Sequence, residues 1–287
     1  EVVNAVMGVI AVSLFITSWG TPKFAERIEQ PAEEERRLGE VVLVPTHGQS
    51  SYLPERLRLA GQIAETNGGL VLPVVVTIPH QDQDLVTART CKDEIDDTLH
   101  ALGLEGDSRI RVDRTLSDGI SRAALENNSS LVLLGWHWPK PLTHFFADSI
   151  ADEVLRQIEC PVVVAALSDS PTNQVVLAIS RYDLSPSRID DLRAAISIAT
   201  SSAAHQQLVV GPVNSELLVE AGITLPDKTQ YKPGEASITE WVAQNSEQEN
   251  LVITISRGQA FDRTALGIYQ TGRSVVAVSA RKAPGRI

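Results

Sequence analysis

Cysteine is scarce in this 287-residue chain: there are two, Cys91 and Cys160. They stand far apart and fit neither a metal-binding nor a thioredoxin-type spacing. Two isolated cysteines suit a reducing compartment, where they serve as small core residues. Clustered basic residues are missing as well. The formal net charge is −11, and without a dense Lys/Arg patch the chain has little to neutralise a phosphate backbone, which argues against nucleic acid as a partner. No nucleophile motif, Walker loop or metal-ligand spacing occurs, so the sequence points away from enzyme chemistry and from a metal site. The chain also lacks an initiator methionine, and it lacks the positive flank and cleavage site of a secretory signal peptide. It therefore reads as a piece of a longer protein. The apolar fraction, 43%, is enough for real cores, so disorder is not the default.

What is present begins with one long apolar run. From Val2 to Trp19 the chain is nearly uncharged. As a helix this run spans about 27 Å, close to one bilayer core. Residues 1–20 are expected to be the end of a transmembrane helix. Lys23, Arg27, Arg36 and Arg37 follow closely, and positive charge beside a span favours the cytoplasmic side. The expected location is a plasma or internal membrane, with the rest of the chain facing the cytoplasm. Residues 21–39, with AEEERR inside them, read as a charged connector, a solvated helix or linker.

From residue 40 the pattern changes. Val41–Val44 is a short all-apolar run, as expected for a strand covered on both faces. Pro54 sits at a plausible first helical position, Leu53, Leu57, Ala60 and Ala64 recur at helical spacing, and Gly68-Gly69 stops that helix. Leu70–Ile78, Ile110–Val112, Leu131–Leu134 and Val162–Ala166 read as further strands. Helices are expected around Asp84–Leu102, Ser117–Glu126 and Ser149–Ile158. The pattern then repeats. Val175–Ile179 is a strand, Ser185-Pro186 reads as cap and first-turn proline, and Ile189, Leu192, Ile196 and Ala199 form the helical stripe. Later strands fall at Gln207–Val210, Lys228–Tyr231, Leu251–Ile255 and Val275–Val278. Alternating strands and helices imply parallel pairing through right-handed crossovers. The expected fold class is α/β, with two tandem doubly wound, five-stranded, Rossmann-like units over residues 40–168 and 173–281. The second is degenerate, and the polar stretch Ser168–Asn173 joins them. Paired units of this kind dock as a pseudo-dimer that hides sheet edges.

VVLVPTHGQS, followed by a helix and LVLPVVVT, resembles the opening half of the universal stress protein family. LVLLGWHWPKP, followed by a helix and CPVVVA, resembles its closing half. The likeness covers Glu40 to about Leu167 well and Asn173 to Ala280 loosely. LFITSWGTPKFAERIEQ is similar to the last helix and exit of monovalent cation:proton antiporters, some of which carry tandem stress-protein-like domains. The two resemblances together imply a regulatory region of a sodium or potassium ion transporter, without catalysis of its own. It would act on the transport domain of the same protein and form a homodimer, with transport-site residues upstream. Two other readings are a stand-alone tandem stress protein binding an adenine nucleotide and another carrier with the same appendage.

In a doubly wound sheet, ligands sit outside the carboxyl ends of the strands where the winding reverses. In the resembled family this lies between the first and fourth strands, which places Thr46, His47 and Gly48 opposite Gly135, Trp136 and His137. Nucleotide-binding members carry an acidic residue after the first strand and a glycine-rich phosphate turn after the fourth. Matched to that turn, this sequence offers Gly135, then Trp138 and Asp148 in place of glycines, then Ser149. His47 replaces the acid. In the second unit Ser180 takes the acid's position, and Ser256-Arg257-Gly258 lacks the turn. Adenine nucleotide binding by the family's route is therefore not expected, and no other cofactor is implied. His47 and His137 on neighbouring strand ends, with His144 close in sequence, suggest sensing of cytoplasmic pH. A zinc site from these three lacks supporting spacing. Trp136, Trp138, Phe145 and Phe146, beside Pro139 and Pro141, read as packing between units or against the membrane part. Asp93, Glu94, Asp96 and Asp97 read as a solvated helix face. Arg257 and Arg263 could attract an anion, although isolated arginines usually pair locally.

Overall fold

The computed structural model describes residues 37–46, 52–79, 82–136, 144–168 and 173–280, with backbone alone for 82–84 and 144–149. The apolar run of residues 2–19 and the connector lie outside these. Among the described residues no helix is long and apolar enough to cross a membrane.

The first unit runs β1 (Val41–Thr46), α1 (Leu53–Thr66), β2 (Leu70–Thr77), α2 (Asp82–Leu102), β3 (Arg109–Val112), α3 (Leu116–Glu126), β4 (Leu131–Gly135), α4 (His144–Gln157) and β5 (Val162–Ala166). The second runs β6 (Gln174–Ile179), two 3₁₀ turns (Arg181–Leu184 and Pro186–Arg188), α5 (Ile189–Ser202), β7 (Gln207–Pro212), α6 (Ser215–Glu220), β8 (Gln230–Tyr231), α7 (Ile238–Asn245), β9 (Leu251–Ile255), α8 (Arg263–Tyr269) and β10 (Ser274–Ser279). All strands join one ten-stranded sheet in the order β3-β2-β1-β4-β5-β10-β9-β6-β7-β8. Pairing is parallel within each unit. At the seam β5 and β10 run antiparallel, with Val276 opposite Ala165 and Val278 opposite Val163. Each unit thus protects the other's fifth-strand edge.

Strand side chains alternate between two core layers, one on each face of the sheet. Val42 and Val44 join Leu57, Ile63, Leu192 and Ile198 on one side. Leu43 joins Val132, Val154, Trp241 and Ile268 on the other. Strands buried on both faces need continuous apolar runs, which is why the alternation itself is invisible in VVLV and LVLL.

Helix ends follow local chemistry. Gly68 adopts φ +63°, its N–H donates to Glu65 O at 3.1 Å, and Gly69 N–H reaches Ala64 O at 2.9 Å, the paired bonds of a Schellman stop. A Cβ on Gly69 would lie 2.0 Å from the Gly39 carbonyl oxygen, so no larger residue fits. Two helix starts differ from the sequence reading. The last helix of the first unit begins at His144, a turn and a half earlier than Ser149. Ser185-Pro186 opens a 3₁₀ turn, and the α-helix starts at Ile189. The third strand of the second unit, expected at Lys228–Tyr231, shortens to Gln230–Tyr231.

At the end of β3, Asp113 accepts from the Arg114 backbone N–H at 2.9 Å and pairs with Arg122 at 3.2 Å and Arg111 at 3.4 Å. The backbone hydrogen bond, then the Arg122 and Arg111 charges, hold its carboxyl below the usual carboxylate range. The Arg111 hydrogen bond lowers Glu126 in the same direction. A depressed carboxylate pKa adds stability above the unfolded value and loses it as pH falls through the folded one. Melting temperature is therefore expected to hold through neutrality and drop below about pH 4. Asp113→Asn should flatten part of that acid limb, as melts of both proteins across an acid series will test.

Candidate functional site

Both units reverse their winding between their first and fourth strands, β1/β4 and β6/β9, and the crevices there differ sharply. In the first unit, β1 delivers Thr46 and β4 delivers Gly135. Thr46 is 5% exposed, and its hydroxyl has no hydrogen-bond partner among the described residues. Gly135 has a packing reason as well as a place in the resembled turn. A Cβ there would sit 2.2 Å from Nη1 of Arg56. Arg56 rises from α1, is 3% exposed, and lies on the helix's apolar face with Ala60 and Ile63. Burial pulls its guanidinium down to about 10, which leaves it charged at neutral pH.

His47, Gly48, Trp138 and His137 lie outside the described residues. Ser149, His144, Phe145 and Phe146 are placed by backbone alone, within α4. Trp136, the residue after β4, stacks on Phe261 of the β9–α8 loop with ring centroids 4.5 Å apart and planes 17° from parallel. Asp152 of α4 accepts from the Ala260 backbone N–H at 2.7 Å. Trp136 therefore joins the two units, one of the packing roles its sequence context suggested.

The second crevice is filled by the chain's own ions. Asp183, 1% exposed, accepts from the Ser180 N–H and hydroxyl, each at 2.8 Å. Arg257 Nη2 donates to Ser180 Oγ at 2.9 Å and to Asp183 Oδ2 at 3.3 Å. Arg188 lies 3.8 Å from Asp183 and 3.4 Å from Asp191, and it donates to the Ser256 carbonyl. Asp191 accepts from Ala280 N–H at 2.7 Å. Asp262 caps α8 through Thr264 and Ala265 N–H while its other oxygen accepts from Arg257 N–H at 3.1 Å. The ring of Tyr182 lies 5.8 Å from the Arg188 guanidinium and 5.6 Å from that of Arg257. The segments after β6, β9 and β10 are thereby tied together, and both arginines pair with carboxylates of this chain, although Arg188 Nε and Asp183 Oδ1 make no hydrogen bond among the described residues.

Arg257 thus pairs locally instead of standing as an anion receptor, while Arg263 is exposed. Reading the residues singly missed Arg56, Asp183 and Arg188. Arg56 had a signal, a lone charge on an apolar helical stripe. Ser180-x-x-Asp183 had another, the spacing of a reciprocal cap. Among the described residues no cluster of His, Cys, Asp and Glu could hold a metal ion. Cys91 is buried in the core, while Cys160 is partly exposed.

The universal stress protein family model matches residues 40–166. The chain is 28% identical over 159 residues to the Na(+)/H(+) antiporter NhaS5 of Synechocystis sp., a match covering 52% of this chain and 22% of the antiporter. The chain thus spans about a fifth of that curated relative (22%). Among solved structures, a universal stress protein from Archaeoglobus fulgidus superposes over 83% of this chain and 96% of its own, with TM-score 0.52 and 13% identity. A Pseudomonas aeruginosa protein described as a universal stress protein covers 83% of this chain and 92% of its own, with TM-score 0.56 and 12% identity. Both share the tandem α/β fold.

Proposed function

We propose that this chain is the cytoplasmic regulatory region of a membrane monovalent cation:proton antiporter, together with the end of its last transmembrane helix in residues 1–20. The observation that carries this reading is the identity with an antiporter over half of the chain. Residues 40–280 would bias transport by making different contacts in two states of the transport domain, with no catalysis of their own. The second crevice fits a lobe that works as a docking body, since Arg188 and Arg257 there are both engaged by Asp183. His47 and His137 would report cytoplasmic pH, and the chain would act as a homodimer.

The test is cation-coupled proton flux in membrane vesicles, comparing the intact transporter with a variant lacking residues 40–280. Deletion is expected to leave flux measurable and to shift its rate or pH set point several-fold. Identical cation and pH dependence in both would overturn the regulatory role. His47→Gln with His137→Gln should flatten the pH profile. An unchanged profile removes the histidines from the account.

A second reading, an adenine nucleotide in the first unit, draws on the Thr46 hydroxyl, which has no hydrogen-bond partner among the described residues. AMP and ATP at millimolar concentration are expected to move the melting temperature by less than about 1 °C; a saturable rise of several degrees would favour this second reading.

A further inference from the structure

One short loop touches both crevices. Residues 256–262 leave β9 at the second crevice and end at the cap of α8. Residues 257–259 are exposed, while Ala260, Phe261 and Asp262 are buried. On the second-unit side, Arg257 donates to Ser180 at 2.9 Å and to Asp183 at 3.3 Å. Asp262 then closes the loop on itself. One of its oxygens accepts from Arg257 N–H at 3.1 Å, and the other caps α8. On the first-unit side, Ala260 N–H donates to Asp152 at 2.7 Å, and Phe261 stacks on Trp136. Trp136 directly follows Gly135, the residue that β4 delivers to the first crevice. Its indole nitrogen is buried and makes no hydrogen bond among the described residues. Ring packing, without a polar anchor, therefore holds the indole in place.

We propose that residues 256–262 form a latch that couples the two crevices. The Arg257–Asp183 clasp at one end and the Trp136–Phe261 stack at the other hold each other in register. The contacts run without a break from Gly135 through Trp136, Phe261, Asp262 and Arg257 to Asp183. Each step is a covalent bond, a hydrogen bond, an ion pair or ring packing, the kind of contiguous network that carries energetic coupling. Anchors at Arg257, Ala260, Phe261 and Asp262 leave the loop little slack to absorb a displacement at either end. Coupling of this kind is reciprocal: opening the clasp loosens the stack, and freeing Trp136 weakens the clasp. Whatever engages one crevice is thereby felt at the other. The latch is a property of the fold and stands whether or not the chain regulates a transporter.

The experiment is a double-mutant cycle on the purified chain, with Asp183→Asn and Phe261→Leu made singly and together and unfolded in urea. Independent sites multiply their effects on the unfolding constant. The latch predicts that the double variant falls short of that product by roughly threefold or more, since the first change already releases the loop. Asp113→Asn, at the far end of the sheet, combined with Phe261→Leu should reach the product to within about twofold. Arg257→Gln, at a partly exposed side chain, replaces Asp183→Asn in the cycle if the latter does not fold. A local readout accompanies the cycle: Asp183→Asn should speed amide exchange at Ala260 more than at Val252 within β9. Simple multiplication for the Asp183 and Phe261 pair overturns the latch, as does an equal shortfall with Asp113→Asn. Exchange at Ala260 that rises no more than at Val252 overturns it as well.

Discussion

Asp183→Ala is expected to lower the unfolding free energy by about 3–5 kcal/mol, the range for breaking a buried ion pair from one side. The carboxylate is the common acceptor for the Ser180 N–H and hydroxyl and for Arg257, and it faces Arg188. Removing it leaves two guanidinium groups facing a space with fewer acceptors. Arg188 is held more tightly inside, with 11% of its side chain exposed against 35% for Arg257, and should account for most of the loss. Asp183→Asn keeps the size and an acceptor but not the charge, and should fall between. The double variant Asp183→Ala, Arg257→Ala should lose less than the sum of its parts, since the partner stranded by the first change is gone. Urea unfolding of these three variants and of Arg257→Ala alone measures these differences. Phosphate or sulfate should also restore more stability to Asp183→Ala than to the parent, because the freed arginines form the anion receptor that Asp183 otherwise fills. No change on Asp183→Ala would mean that the crevice is held by something other than this network.

Trp241→Ala is expected to cost about 3–5 kcal/mol, as for other large-to-small changes in a packed core. Trp241 is 2% exposed and donates through its indole N–H to the Lys232 carbonyl at 2.9 Å. The ring is enclosed by backbone: a Cβ on Gly211 would lie 2.3 Å from it, and one on Gly234 2.9 Å. These glycines permit close approach of β7 and of the chain leaving β8. Alanine would leave a void that backbone cannot readily close, together with an acceptor that has lost its donor. The short edge strand β8 pairs only with β7 in the sheet, so it should become the first segment to exchange amide hydrogens. Trp241→Phe should cost less, restoring most of the volume and none of the hydrogen bond. Urea unfolding and amide exchange across Gln230–Tyr231 test both statements.

The elements that could be read from sequence are those whose signals are local. The apolar runs of β1, β4, β6, β9 and β10 stand out because a strand covered on both faces has no polar side to interrupt it. Gly68-Gly69 marks a helix end because only a residue tolerant of positive φ closes the Schellman turn. The start of α5 differs from the sequence reading because Ser185-Pro186 carries the same signal for a 3₁₀ turn as for an α-helix. Length decides between them, and here Arg188, drawn toward Asp183 and Asp191, is followed by the α-helical start. The last helix of the first unit starts at His144, earlier than Ser149.

The candidate site divides the same way. Thr46 and Gly135 follow from strand order alone, once the winding is known. The contents of the two crevices do not. Arg257 meets Ser180 across 77 positions of sequence, and Phe261 meets Trp136 across more than a hundred. Nothing local in SRYDL or SRGQAF announces that they close on one another.

By itself the amino-acid sequence determined the alternation of strands and helices, its repetition, and the acidic, cysteine-poor character of the chain. Those properties reside in hydrophobic period, turn chemistry and charge, each set within a few residues. Tertiary structure alone decided the antiparallel β5–β10 seam, the burial of Arg56 behind Gly135, the self-filled second crevice and the stacking of Trp136 on Phe261 between the units. Each depends on which distant surfaces come together, and that is settled by packing and desolvation over the whole sheet.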